Sequence, residues 1–215
     1  RQMCIRDRSS DPTFKKFWLL HSIEEPTIEG NHFIVRRTKN GDTGMLQNHV
    51  LLPETGNAQI EKVGGKGKEF WVFGTNYPND ALPNRPDDAN ERGAWRVEVS
   101  PAAPATEDCF LNVMQVADNT CKRMHDVKRI DAEKVVGVQI ADRVVTFSRD
   151  SRPLSGKVDM KVDGNAAMKF VITNLIPGTW QIKKDGKVYI PAMEVRSDDG
   201  ILSFEGTAGH YEFLR

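Results

Sequence analysis

Four dipeptides punctuate this chain: Asn40-Gly41, Asp163-Gly164, Asp185-Gly186 and Asp199-Gly200. Each supplies the positive-φ residues that a tight hairpin needs, and the runs between them are short and β-prone. The clearest hairpin runs from Thr179 to Lys183, turns at Asp185-Gly186 and returns from Lys187 to Ile190. Gly200 to Gly206 and His210 to Leu214 read as a final strand pair, and Pro177-Gly178 as a turn before Trp180. Val158, Met160 and Val162 alternate with Asp159, Lys161 and Asp163, and Trp95 to Val99 alternates in the same way. Such strands have one buried and one wet face. Phe17 to Leu20 and Phe70 to Phe73 are unbroken apolar runs, the pattern of strands covered on both faces. Glu107 to Ala117 fits a helix or a fully buried strand; its valines and its neighbours favour a strand.

This punctuation predicts an all-β chain of packed sheets rather than βαβ units. With 215 residues the chain can bury a substantial core. A polar run at Asn119 to Asp126 suggests the division, giving 9–120 and 121–215. Residues 1–8, Arg-Gln-Met-Cys-Ile-Arg-Asp-Arg, have neither the apolar core of a signal peptide nor a helix cap. They resemble translated adapter sequence and are read as a non-native leader, outside the fold. The stretch from Thr75 to Gly93, rich in Asn, Asp and Pro, reads as a long loop of the functional or mobile kind.

Thirty basic and thirty acidic residues give a formal net charge of +0, which argues against a nucleic-acid binder. No apolar stretch is long enough to span a bilayer. Of three cysteines, Cys109 and Cys121 lie outside the leader; one disulfide between them is possible, and free thiols are the preferred reading.

Catalytic signatures are sparse. His21, His32, His49, His125 and His210 show no metal-ligand spacing; His21 reads more readily as structural, and His32 and His49 as solvent-facing or structural. Glu24 and Glu25 are adjacent, so a strand points them to opposite faces, which disfavours an acid–base pair. Asp87-Asp88 lacks the alternating ligands of a calcium loop. Asp198-Asp199-Gly200 reads as a turn. Gly64 to Lys68 lacks the spacing of a phosphate loop and reads as a link between strands. The more informative set is basic and aromatic: Lys15-Lys16 before Phe17-Trp18, and Arg36-Arg37 after Phe33. Cations with exposed rings suit acidic sugars, whereas Trp18, Trp71, Trp95 and Trp180 in such apolar strands favour a core role.

The order and spacing of several segments resemble the β-rich C-terminal portion of heparinase II/III-like polysaccharide lyases. They are Lys16 to Ser22, Glu25-Pro26, Leu51 to Pro53, Gly93 to Pro101, Phe110 to Val113, Val116 to Asp118, Val136 to Val138, Val144 to Ser148 and Phe204 to Tyr211. The resemblance implies an upstream α/α toroid domain, then an antiparallel β-sandwich followed by a small C-terminal antiparallel β domain, and β-elimination on uronic-acid polysaccharides. It also implies a parent that is periplasmic or secreted and that binds a divalent metal upstream. No catalytic, cofactor-binding or metal-binding position of that family maps onto a residue here, and Tyr77, Tyr189 and Tyr211 lie in the long loop and late hairpins. The chain is therefore expected to be a non-catalytic fragment, without cofactor and inactive alone. The alternatives are a carbohydrate-binding accessory module or a purely structural β domain.

Overall fold

A computed structural model describes residues 2–77, 93–150 and 152–215. Among these there are nineteen strands and no helix. Asp87-Asp88 and most of the Thr75 to Gly93 stretch lie outside the described residues. The chain divides into two compact units, Arg1–Met124 and His125–Arg215.

The first unit is a two-layer sandwich. One sheet orders β1 (Gln2–Arg8), β10 (Glu107–Asp118), β5 (Asp42–Leu52), β4 (His32–Lys39) and β3 (Thr27–Glu29). The other orders β2 (Trp18–Ser22), β9 (Trp95–Pro101) and β6 (Ala58–Gly64). Both contribute to one core: Phe33, Val50 and Phe110 from the first, Trp18, Val97 and Val99 from the second. The segment 107–117 is a strand, β10, with Phe110, Leu111 and Val113 all buried. A two-strand hairpin, β7 (Trp71–Val72) and β8 (Thr75–Asn76), completes the unit.

The second unit packs β11 (Val127–Asp131), β12 (Val135–Ile140), β13 (Arg143–Ser148), β15 (Met168–Ile172) and β18 (Leu202–Gly206) as one sheet. The facing sheet orders β14 (Val158–Val162), β19 (Gly209–Leu214), β16 (Gly178–Lys184) and β17 (Lys187–Val195). Val158, Met160 and Val162 enter the core, as their alternation predicts. They meet Phe170, Trp180, Tyr211 and Phe213, and the Phe170 ring lies 4.8 Å from Phe204 and 4.7 Å from Tyr211.

Two of the four turn dipeptides close hairpins. Asn40 (φ 53°) and Gly41 link β4 to β5, and Asp185 (φ 51°) and Gly186 link β16 to β17. Asp163-Gly164 and Asp199-Gly200 do not: β14 and β15 lie in different sheets, as do β17 and β18. The predicted final strand pair is also corrected. Strand β18 pairs with β15, and β19 pairs with β14 and β16, so Thr207 and Ala208 turn a corner between layers. Because β14 crosses to the opposite layer, β13 and β15 meet as the sheet's parallel pair.

Neither unbroken apolar run is covered on both faces. Trp18 is buried, while Phe17 and Leu19 are exposed. Phe73 is wholly exposed at the β7–β8 turn, where it takes φ 45°. Residues 2–8, set outside the fold on sequence grounds, pair along the whole of Glu107–Val113. An unpaired sheet edge offers main-chain groups to any extended segment, whatever its side chains.

Candidate functional site

One concavity of the first unit begins with a turn. Asp11 accepts hydrogen bonds from the Thr13 backbone N–H (2.8 Å) and hydroxyl (2.7 Å), which hold its carboxyl below the usual carboxylate range. The Phe14 N–H donates to the Asp11 carbonyl at 3.2 Å, and the Phe14 ring stands out into solvent, 59% exposed. From there the chain runs extended into β2, and burial alternates: Lys15, Phe17 and Leu19 face out, Lys16 and Trp18 face in.

Lys16 is therefore a buried lysine, 6% exposed. Its Nζ lies 3.0 Å from Asp108 Oδ2 and also donates to the Ala105 carbonyl. Buried cations survive in this way, by pairing and hydrogen bonding. Asp108 is held on β10, and Ala105 lies in the proline-bearing link from β9 to β10. Between this link and the Phe14 turn opens a cleft of about 260 Å³. Phe14, Pro101 and Pro104 give it apolar surface; Gln59, Ser100 and Lys15 give it polar groups.

A larger cleft, about 410 Å³, lies in the second unit beside Lys134, Arg149, Asp150 and Arg152. Three of its charged side chains, Lys134, Arg149 and Asp150, are already engaged. Arg149 pairs with Asp131 and donates to the Ala132 carbonyl, and Lys134 donates to the Lys157 carbonyl. Asp150 accepts from the Arg152 N–H and the Ser148 hydroxyl, which keep its carboxyl low.

The other sequence candidates are dispersed. His32 and His49 face each other across β4 and β5 with ring centroids 5.2 Å apart. Burial, and secondly the neighbouring His32, lower the His49 pKa; its Nδ1 is buried without a partner, and His32 Nε2 lies 3.4 Å from Glu29. His21, His125 and His210 are exposed. Glu24 pairs with Arg37 (2.8 Å) and Glu25 with Lys62 (2.5 Å), so the two neighbouring carboxylates have separate basic partners. Arg36 donates to the Asn119 side chain at 2.9 Å. Asp199 pairs with Arg196 (2.6 Å) and caps the Ile201 N–H, as a turn residue does. In the Gly64 to Lys68 link, a Cβ on Gly65 would stand 2.8 Å from the Trp95 ring, so the glycine lets the link pack closely against that ring.

Trp18 and Trp180 are core residues; Trp71 and Trp95 are half-buried, with Lys68 and Lys62 over their rings at 5.5 and 5.9 Å. The Tyr211 hydroxyl donates to the Thr207 carbonyl at 2.6 Å, and burial pushes its pKa up to about 12. Cys4 and Cys109 sulfurs lie 3.6 Å apart, and all three cysteines are free thiols. Among the described residues, no group of three or more His, Cys, Asp or Glu could hold a metal ion. No helix among them is long and apolar enough to cross a membrane.

Sequence reasoning singled out Lys15 and Lys16 but missed Phe14, Asp108 and the proline link. The missing signal was long-range: nothing near Asp108 in sequence marks it as the partner of a lysine on the approach to β2.

No curated protein matches the chain. Residues 129–215 match the family model of the heparinase II C-terminal domain. The match lies wholly within the second unit and spans β12 to β19. The C-terminal portion of this chain is thus similar to the heparinase II C-terminal domain.

Proposed function

We propose that the chain is a non-catalytic β portion of a polysaccharide lyase that cleaves uronic-acid polysaccharides by β-elimination. The match of residues 129–215 to the heparinase II C-terminal domain carries this reading. In such a reaction a base removes the proton beside the uronate carboxylate while neighbouring groups neutralise that carboxylate. The side chains of this chain support a scaffolding role. Tyr211 is buried, its hydroxyl is committed to the Thr207 carbonyl, and its raised pKa opposes phenolate formation. The Tyr189 hydroxyl is likewise committed, to the Glu205 carbonyl at 2.9 Å. The divalent metal that the resemblance implies belongs upstream; no cluster among the described residues fits one, and no step is derived through it.

On this reading the partners are an N-terminal α/α toroid domain and, through the parent enzyme, an acidic polysaccharide. The parent is exported to the periplasm or beyond, where such polymers are met. A second reading, a carbohydrate-binding accessory module, is favoured by the Phe14 cleft with its mixed apolar and polar lining.

An ultraviolet assay for unsaturated uronate, with the purified chain and a panel of acidic polysaccharides, tests the first reading. The expected result is no growth of absorbance. Growth abolished by one substitution in this chain would overturn it.

A further inference from the structure

We propose that the cleft between the Phe14 turn and the link from β9 to β10 is a single-ring subsite for an acidic sugar. This deepens the polysaccharide reading and rests on it. The cleft holds about 260 Å³. That is just below the range of about 300–1,000 Å³ that takes drug-sized ligands, so it suits one ring rather than a run of them.

Its lining matches the two-sided chemistry of a pyranose. A sugar ring presents an apolar C–H face and a belt of hydroxyls. The Phe14 ring, 59% exposed and fixed by the Asp11 turn, offers a flat apolar surface, with Pro101 and Pro104 beside it. Gln59 and Ser100 supply donors and acceptors. An ammonium has three N–H donors. Lys16 directs them at Asp108 and the Ala105 carbonyl, which leaves capacity for one further acceptor.

Charge sets the class of sugar. Two ammonium groups, Lys15 and Lys16, line the cleft against one carboxylate, Asp108. The surplus cation is Lys15, which is exposed, so a ring bearing a carboxylate is favoured over a neutral one.

The test is an NMR titration of the isotope-labelled full chain with methyl glucuronide and, separately, methyl glucoside. Phe14 and Lys15 are both exposed, so Phe14→Ala and Lys15→Ala should leave the fold intact. Glucuronide should shift the amide signals of Thr13 to Lys16 and Ala102 to Ala105. Phe14→Ala should weaken it by about five-fold, as expected for loss of one ring contact. Lys15→Ala should weaken glucuronide by about three-fold, in the range of an exposed ion pair, and leave glucoside unchanged.

Shifts that fall elsewhere, or an affinity left unchanged by Phe14→Ala, would overturn the placement. Equal binding of glucoside and glucuronide by the unmodified chain would overturn the choice of an acidic sugar. An absence of shifts up to saturating glycoside would overturn the subsite altogether. None of these results bears on the lyase reading, which the ultraviolet assay decides separately.

Discussion

Lys16→Met should be among the most damaging single substitutions in the first unit, and Asp108→Leu should largely repair it. The Nζ–Oδ2 separation is 3.0 Å, and the two side chains are 4% and 13% exposed. At an effective dielectric of about 20, charges at this distance attract by about 5–6 kcal/mol. Removing two ions from water costs several kcal/mol each, so the intact pair contributes little net stability. Breaking it is a different matter. With Met at position 16 the stem still packs, but Asp108 stays buried with its counter-charge gone, and the Ala105 carbonyl loses its ammonium donor. The expected loss is about 3–5 kcal/mol. Asp108→Leu alone should cost a similar amount, because it strands the lysine. The double variant should lie within about 1 kcal/mol of the unmodified chain, since an apolar pair of similar volume replaces both ions.

The assay is native-state amide exchange on β10 and β9, which reports opening of this unit without requiring the whole chain to unfold in one step. Two single losses that add in the double variant would refute the reasoning, because additivity means that the two groups do not sense each other. Single losses below about 1 kcal/mol would also refute it, placing the pair in solvent like an exposed surface bridge.

Gly137→Ala should prevent assembly of the second unit: an added Cβ would stand 2.2 Å from the Val145 carbonyl oxygen and 2.8 Å from the Thr146 Cα, both backbone, and circular dichroism of the variant checks this. Tyr211→Phe should cost about 1–3 kcal/mol in urea melts by orphaning the Thr207 carbonyl. The same variant should remove the tyrosine ionisation near pH 12 from an ultraviolet titration, since Tyr211 is the group raised to about 12. His49 has a pKa lowered in the fold, chiefly by burial and secondly by His32, so protonation favours the unfolded chain. Its contribution is intact above the unfolded value of about 6.5 and is lost as pH falls from there through the lower folded value. His49→Gln should flatten that part of the stability–pH curve, and parallel curves for the two proteins would contradict the assignment.

Local chemistry was legible where it acts locally. Asn40-Gly41 and Asp185-Gly186 close the hairpins their positive φ values allow. The alternation of Val158, Met160 and Val162 names its own inner face. The hairpin between β12 and β13 was not legible, because it turns on Ala141 at φ 48°, a residue with no turn signature. Sheet membership was also hidden. Asp163-Gly164 and Asp199-Gly200 carry the same hairpin signature, but each delivers the chain to the other layer, and only pairing partners distant in sequence decide that. The same limit explains Phe73, whose apolar run reads as core while its turn carries it into solvent.

Lys15 and Lys16 show how far a single period can take the reading of a site. Taken as one basic dipeptide, they suggest a solvated pair poised for an anionic ligand. Taken as the first two positions of an extended run into β2, they must point to opposite faces. Trp18 marks the inner face, so Lys16 shares it and Lys15 does not. A lysine on the Trp18 face requires a buried acceptor, and that requirement alone predicts a carboxylate somewhere on the facing sheet. It cannot say which one, because β10 carries Glu107, Asp108 and Asp118. Within β10 burial resolves the choice, since Glu107 and Asp118 are exposed and Asp108 is not. The dipeptide therefore divides the work of the cleft: Lys16 spends its charge on holding β10 to the Phe14 turn, and Lys15 keeps its charge for whatever enters.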